Sequence, residues 1–352
     1  MHQMKPALVA AAICGLVAGQ TSPQIKGKLD RIKLHGVALE GNLEGDSPDR
    51  DVSIYLPPSY QANGTGRYPV LYILHGFADS DDRWFGLIPH FVNVPAVMEA
   101  ALDKGVAREM ILVMPNAYTR YGVSVYGSSV TTGDWETFVT RELVFYIDSH
   151  YRTLAAPESR GLAGHSMGGY GAIRLAMKHP EVYSSVYAMS AYCVNQNEDT
   201  TTAESVRKAE AVRSAEDFAK ADLPTQGVIA RSAAWSANPK IPPYFDMPFK
   251  NGKPRPLVIA EWNANMPVAM LGQYAANLKR LHSLALDIGS QDRVLIIAGN
   301  QLFDRLLTDF SISHSFEIYE GTHTSKIAGR LETKVLPYFT GNLSFERQKS
   351  RK

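Results

Sequence analysis

The hexapeptide at residues 164–169, with the sequence GHSMGG, limits the folds open to this chain more than any other feature. It lies between a strand-like stretch at 160–163 and a helix-like stretch at 171–178. A serine at a sharp strand-to-helix turn needs neighbours without bulky side chains, because the sheet and the helix come close there. Gly164 and Gly168 provide that room. The pattern predicts a nucleophile elbow with Ser166 at its tip; the alternative is a glycine-rich turn that only packs a helix on a sheet.

Strand-like and helix-like patterns alternate along the rest of the chain. A short apolar run at 70–74 is typical of a strand buried on both faces, and helical spacing appears at 137–151. Further strands are predicted at 27–43, 50–56, 111–114, 184–190, 284–289 and 316–320, and a further helix around 300–310. Alternation of this kind predicts an α/β fold with a mostly parallel central sheet flanked by helices, whose chemistry gathers beyond the carboxyl ends of the strands.

One segment interrupts the alternation, from about residue 195 to 265. It begins with a charged helical pattern at 203–221 and continues with many aromatic residues and prolines. Because it is too long for a plain connection, we interpret it as a lid or cap inserted into a single domain at 27–345; the alternative is a surface insertion without a role at the site.

The N-terminus predicts export. Lys5 precedes an apolar run at 7–18 and then small residues, which is the pattern of a secretory signal peptide at 1–19 with cleavage near Ala18 or Gly19. The run is short for a membrane span, and Ile13 before Cys14 fits lipid attachment poorly. We therefore expect a secreted or periplasmic protein without stable membrane insertion.

The composition of the chain indicates which kinds of molecule it is not suited to bind. The 352 residues carry a net charge of +1, with 36 basic and 35 acidic side chains, which gives no field that favours nucleic acid or an anionic membrane. A neutral or modestly charged small substrate fits better. Cys193 is the one cysteine left after signal cleavage, so no internal disulfide is expected, and its apolar surroundings favour a buried thiol over a reactive one.

The chain has no metal-binding motif of the H-E-x-x-H or paired C-x-x-C kind, so neither a metal nor another cofactor is expected. Asp79, Asp81 and Asp82 cluster after the 70–74 strand but lack the spacing of a calcium loop. We interpret these three side chains as solvated charge.

A serine nucleophile needs a base, and the base needs an acidic partner that holds its tautomer. The order in this kind of fold is serine, acid, histidine. His323 follows the strand at 316–320 and falls at its carboxyl end, whereas His314 precedes that strand. Asp292 follows the strand at 284–289 and is the preferred acid, with Asp287 inside the strand held in reserve.

The oxyanion of an acyl-transfer intermediate requires two hydrogen-bond donors. The N–H of Met167, directly after the serine, is one candidate, and the N–H of Phe77, after the 70–74 strand, is the other. Gly76 lets the backbone approach closely, and His75 is expected to serve loop packing.

Four stretches, at 70–77, 133–136, 160–172 and 320–323, together resemble the esterase D / putative esterase family. That family comprises serine hydrolases of the α/β-hydrolase fold, including feruloyl esterases, S-formylglutathione hydrolases, enterochelin esterases and the antigen 85 mycolyltransferases. The resemblance covers most of residues 50–340 and implies Ser166, Asp292 and His323 as triad, with Phe77 and Met167 as oxyanion donors. The insertion at 195–265 departs from the shorter members, so the substrate does not transfer with the resemblance.

The sequence favours an exported carboxylic-ester hydrolase that acts on aryl (feruloyl-type) or acetyl esters of carbohydrates. The signal segment disfavours intracellular S-formylglutathione hydrolysis. An acyltransferase of the mycolyltransferase type, a non-catalytic ligand-binding module and a serine peptidase are the alternatives. Side chains proposed to contact the substrate, each of which could equally pack in the core or on the surface, are Tyr121, Tyr126, Ser128, Trp135, His165 and Trp235.

Overall fold

The computed structural model describes residues 25–195, 203–212 and 214–346, so the predicted signal peptide lies outside the described residues. The strands are β1 Lys28–His35, β2 Asp49–Leu56, β3 Val70–Leu74, β4 Ile111–Pro115, β5 Ser128–Ser129, β6 Gly133–Asp134, β7 Arg160–His165, β8 Ser185–Met189, β9 Phe249–Lys250, β10 Lys253–Pro254, β11 Ser283–Gly289 and β12 Ser315–Tyr319. The helices are α1 Pro58–Ala62, α2 Asp81–Trp84, α3 Val94–Asp103, α4 Trp135–Thr137, α5 Leu143–His150, α6 Met167–Lys178, α7 Ala203–Ala211, α8 Ala215–Lys220, α9 Leu223–Trp235, α10 Pro256–Ala264, α11 Pro267–Leu278, α12 Val294–Asp309, α13 Ile327–Arg330 and α14 Leu336–Asn342.

Eight strands form the central sheet in the order β1-β2-β4-β3-β7-β8-β11-β12. The two leading strands pair antiparallel, β2 pairs antiparallel with β4, and every later pairing is parallel. The strand at 70–74 and the predicted mostly parallel sheet are confirmed. The carboxyl ends of β3, β7, β11 and β12 therefore lie at one edge, where loops can bring their side chains together.

The central strands of the sheet are buried on both faces because their side chains alternate between two apolar clusters. Along β3, Val70, Tyr72 and Leu74 join one cluster and Leu71 and Ile73 join the other, and all five are fully buried. Because β3 is buried on both faces, its sequence is a continuous apolar run. The helix predicted at 137–151 contains a π-helical turn at Phe138–Glu142 before α5.

A buried ion cluster fixes α6, the helix that follows the elbow. The carboxylate of Glu136 accepts hydrogen bonds from Arg174 (2.6 Å), Lys178 (2.6 Å) and His179 (2.8 Å). Burial works against ionisation, but these donors hold the pKa of Glu136 well below its usual range. The cluster ties the segment before α5 to α6.

The insertion consists of four helices, α7 to α10, and one small hairpin, β9-β10, in its described part. The charged pattern at 203–221 forms two helices, α7 and α8, rather than one. Helix α9 is buried along most of its length, and the Trp235 ring near its end packs against Trp262 of α10 at 5.5 Å between centroids. Among the described residues, no helix combines the length and apolarity needed to span a bilayer.

Candidate active site

Ser166 sits in a strained turn between β7 and α6. Its backbone has φ 57° and ψ −117°, a region that residues other than glycine rarely adopt and that costs about 1–3 kcal/mol. Its N–H donates to the carbonyl of Met189, at 2.9 Å. A Cβ on Gly164 would lie 2.1 Å from the Gly168 carbonyl oxygen, and one on Gly168 would lie 2.0 Å from that of Leu74. Both glycines are therefore required by close backbone contact, as the sequence predicted.

A chain of short hydrogen bonds joins the three predicted catalytic side chains. The Ser166 hydroxyl lies 2.8 Å from Nε2 of His323, and Nδ1 of the same ring lies 2.6 Å from Oδ2 of Asp292. The second oxygen of that carboxylate accepts the N–H of Arg293 at 2.6 Å. With Nδ1 donating to the carboxylate, Nε2 is free to accept the serine proton. The arrangement can activate a serine hydroxyl.

His165 supports the loop that carries His323. Its Nε2–H donates to the His323 carbonyl at 2.8 Å, and its side chain is 3% exposed. Burial, together with the nearby His323 ring, lowers the pKa of His165 to about 3. The ring is therefore neutral at ordinary pH and acts as a hydrogen-bond donor. It also lines the cavity at Ser166, as proposed from the sequence.

The two residues predicted to supply the oxyanion donors both lie beside Ser166. Met167 opens α6, and Phe77 follows β3; both residues line the cavity. Within the described residues, neither N–H donates to another protein atom. A Cβ on Gly76 would lie 3.4 Å from that of Ser166, so the loop after β3 runs close to the serine. His75 serves loop packing, because its Nε2 accepts the N–H of Ala117 at 2.9 Å and its ring is fully buried.

The cavity at Ser166 has a volume of about 350 Å³. Its walls combine the carboxyl edge of the sheet with the first turns of α9 from the insertion. Its side-chain lining is largely apolar, from Phe77, Phe91, Tyr192, Leu223 and Pro224. An apolar group can bury its surface against such a lining. In the described part of the chain, no group of three or more His, Cys, Asp or Glu side chains is placed to hold a metal ion.

Three side chains proposed as substrate contacts do not line this cavity. Tyr126 is fully buried and donates its hydroxyl to the His75 carbonyl at 2.8 Å. Trp135 is 1% exposed and donates Nε1–H to Thr132 at 2.8 Å. Trp235 is buried against Tyr170 and Trp262. The prediction that these three side chains contact the substrate is wrong: they belong to the core, since protein already covers their ring surfaces.

The other two tentative contacts also lie elsewhere. Tyr121 lines a separate cavity of about 570 Å³ that is bounded largely by the insertion. Ser128 belongs to β5, which pairs with β6. Neither residue lines the cavity at Ser166.

The interpretation of the acidic cluster after β3 as solvated charge is wrong for two of its members. Asp81 has no exposed surface and is bound by Arg31, at 3.0 Å, and by the Ser53 hydroxyl, at 2.6 Å. Asp79 is 8% exposed and accepts the indole N–H of Trp84 at 2.6 Å. The partners of Asp81 come from β1 and β2, far away in the sequence, so the local pattern gave no sign of its burial.

The alternatives for base and acid are engaged elsewhere. His314 lies at the amino end of β12, where its Nε2 is 2.9 Å from the carboxylate of Asp304. Asp287 is fully buried in β11 and accepts two hydrogen bonds from Arg330, at 2.6 and 2.8 Å, and one from the Tyr187 hydroxyl. Neither side chain is bonded to Ser166 or His323.

Sequence reasoning missed several cavity residues. Leu223, Pro224 and Gly227 lie in α9 and carry no motif that would connect them with the elbow. Tyr192 offered a usable signal, because it follows β8 and therefore falls at the same sheet edge as Ser166. Arg293 directly follows Asp292, but nothing in the local sequence places it in the cavity wall.

Comparison with curated proteins finds relatives over the central part of the chain. An esterase of Mycobacterium tuberculosis is 32% identical over 141 residues, which covers 40% of this chain and 28% of that protein. The endo-1,4-beta-xylanase/feruloyl esterase of Xylanibacter ruminicola is 30% identical over 37% of this chain and 18% of its own length. The S-formylglutathione hydrolase of Bos taurus is 27% identical over 40% of this chain and 51% of its own length. These alignments thus span about half or less of each relative.

Comparison with solved structures supports the fold over nearly the whole chain. A structure described as a ferulic acid esterase aligns with a TM-score of 0.63 and 23% identity, over 91% of this chain and all of that one. This likeness, together with the mostly parallel sheet, identifies the α/β-hydrolase fold. The model of the family described as "Putative esterase" matches residues 47–327, which include the elbow, both predicted triad partners and the insertion. The chain therefore belongs to the putative esterase family.

Proposed function

We propose that this protein is a serine carboxylic-ester hydrolase with Ser166 as nucleophile, His323 as general base and acid, and Asp292 as the acid partner. One observation carries the proposal: the hydrogen-bond chain of 2.8 Å from Ser166 to His323 and 2.6 Å from His323 to Asp292. Strain at the serine and the free N–H groups beside it add support. Membership of the family supports the reaction class.

The proposed reaction begins when the Ser166 Oγ attacks the ester carbonyl carbon while Nε2 of His323 accepts its proton. Asp292 stabilises the imidazolium that forms. The carbonyl oxygen becomes an oxyanion, which accepts hydrogen bonds from the N–H groups of Met167 and Phe77. His323 then returns the proton to the departing alcohol oxygen, leaving an acyl-enzyme. Water attacks that ester by the same steps and releases the acid.

We further propose aryl (feruloyl-type) or acetyl esters of carbohydrates as the substrate class and export as the setting. The apolar lining of the cavity and its volume of about 350 Å³ suit an aromatic acyl group. A feruloyl esterase among the relatives and the N-terminal apolar run at 7–18 are consistent with this. The insertion is proposed as a cap over the site because α9 supplies Leu223, Pro224 and Gly227 to the cavity.

The test compares the wild-type protein with Ser166→Ala on p-nitrophenyl acetate, butyrate and octanoate and on methyl ferulate. We expect the substitution to lower kcat by about 10⁴-fold or more, because no other group can form the acyl-enzyme. A fluorophosphonate probe should label the wild type and not the variant. Circular dichroism and the melting temperature serve as the folding control. Equal turnover by both proteins would overturn the assignment of Ser166.

The same assay separates hydrolysis from acyl transfer. Sugar acceptors are added and the products are analysed by mass spectrometry. Free acid as the main product supports a hydrolase, since water then resolves the acyl-enzyme. Acylated sugar as the main product would replace the hydrolase by an acyltransferase with the same nucleophile.

A further inference from the structure

Arg293 contributes a cation to the cavity that holds Ser166. It precedes α12, and its backbone N–H is bound to Asp292. Its side chain is exposed and lines the cavity, with the guanidinium carbon 5.7 Å from the centroid of the Tyr192 ring. Within the described residues, no carboxylate forms an ion pair with it. Its charge is therefore available to a molecule in the cavity.

The other ionisable groups of the cavity wall are already engaged. Both oxygens of Asp79 accept hydrogen bonds, from Trp84 Nε1 at 2.6 Å and from the Ser80 N–H at 3.0 Å. His165 is kept neutral by burial and donates to a carbonyl. His323 is bonded between Ser166 and Asp292. Arg293 is thus the cation of this wall that remains open to a ligand.

A second guanidinium lies near the same aromatic ring. Arg231 of α9 is fully buried, and its guanidinium carbon is 5.8 Å from the Tyr192 centroid. Most of the remaining wall is apolar, including Phe77 and Leu223. Apolar walls reduce screening, so a positive charge acts more strongly on a bound group there than on the open surface. The Arg293 guanidinium therefore makes this side of the cavity suited to negative charge.

We propose that Arg293 determines specificity by selecting esters that carry a carboxylate close to the scissile bond. The inference rests on the proposed ester hydrolysis and narrows the proposed aryl or acetyl esters to those that also carry a carboxylate. The carboxylate would lie against Tyr192 and accept hydrogen bonds from the guanidinium, while the apolar wall covers the rest of the acyl or alcohol group. Because the cavity is small, the carboxylate sits within a few bonds of the ester.

The experiment uses two matched pairs of esters, which differ only in whether the carboxylate is free or methyl-capped. p-Nitrophenyl hydrogen succinate and its methyl ester place the charge on the acyl side. p-Acetoxybenzoate and its methyl ester place it on the alcohol side. The ratio of kcat/KM for the anionic ester to that for the capped ester is measured for wild type, Arg293→Gln and Arg293→Lys.

We expect Arg293→Gln to lower this ratio by about tenfold for at least one pair, mainly through a higher KM, because one exposed charge-assisted hydrogen bond is lost. Arg293→Lys should recover part of the ratio, and added salt should lower it in the wild type. The affected pair tells which side of the ester carries the charge. Arg305→Gln is the matched control, since Arg305 is exposed on α12 and does not line the cavity.

Two failures are distinguishable. If the wild type hydrolyses the capped esters and the ratio is the same in Arg293→Gln, the inference is overturned and the proposed function stands. If the folded wild type turns over none of the four esters, nor the neutral esters of the Ser166 test, the proposed function fails and the inference fails with it.

Discussion

The two walls of the cavity are built in different ways. On one wall, Ser166 and His323 line the cavity and His323 is bonded to Asp292. All three residues follow strands of one sheet, which brings them to the same edge. The other wall is α9, a helix of the insertion that packs on the domain through its own apolar side chains. The first wall tolerates little change in geometry, and the second can vary in shape without moving the reacting atoms. We therefore expect the sheet edge to govern the proposed chemistry and the insertion to govern which substrates fit beside it.

The largest effect should follow from Asp292→Asn on the sheet wall. An amide in place of the carboxylate favours the wrong tautomer of His323, so kcat should fall by about 10⁴-fold with little change in melting temperature. Steady-state hydrolysis of p-nitrophenyl acetate measures this loss.

Asp287→Asn is the control from the same strand. Asp287 is bound to Arg330 and not to His323, so its substitution should lower the melting temperature and leave the folded enzyme far more active than Asp292→Asn. The reverse pattern, with activity lost in folded Asp287→Asn alone, would make Asp287 the acid of the triad.

Adding one methyl group should change the free energy of unfolding differently at the sheet edge and in α9. Gly168→Ala places a Cβ 2.0 Å from the Leu74 carbonyl oxygen, and the forced backbone shift should cost about 1–3 kcal/mol of unfolding free energy. Gly227→Ala in α9 meets only Arg231, at 3.9 Å, and should be neutral or stabilise by up to about 1 kcal/mol through higher helix propensity. Urea unfolding measures both, and equal losses would contradict the contrast between the walls.

The smallest expected effect is a change in substrate-size preference, which tests whether the insertion limits the length of the acyl chain. Gly227→Leu adds a side chain to a residue that lines the cavity, so we expect kcat/KM for p-nitrophenyl octanoate to fall by about tenfold relative to the acetate. Gly227→Ala is the size control and should shift this ratio much less. An unchanged ratio in the leucine variant would mean that the acyl chain does not lie against α9.

Features encoded in contiguous residues were predictable. The apolar run at 70–74 is confirmed as β3 with the same bounds, and the predicted turn at Ser166 has a strained backbone between β7 and α6. Histidine and acid candidates were chosen from their positions after strands, which is enough to place them at one sheet edge. The three side chains indeed lie within hydrogen-bond distance, although their catalytic roles remain predictions.

Features that depend on distant partners were not predictable. Asp81 looked solvated because its partner Arg31 lies 50 residues earlier in the chain. Tyr126 was proposed as a substrate contact, yet it fills the space beside Gly171, where a Cβ would lie 2.6 Å from its ring. In both cases the local residues carry the same polarity whether or not another segment covers them.

The sequence by itself determined the order of strands and helices, the elbow around Ser166 and the set of polar residues that follow the strands, because hydrophobic periodicity and glycine spacing are local properties. Only the tertiary structure decided that α9 and Arg293 line the cavity and that Trp135 does not. Burial and the position of a charge depend on contacts between segments far apart in the chain, and these contacts exist only once the sheet and the insertion have packed together.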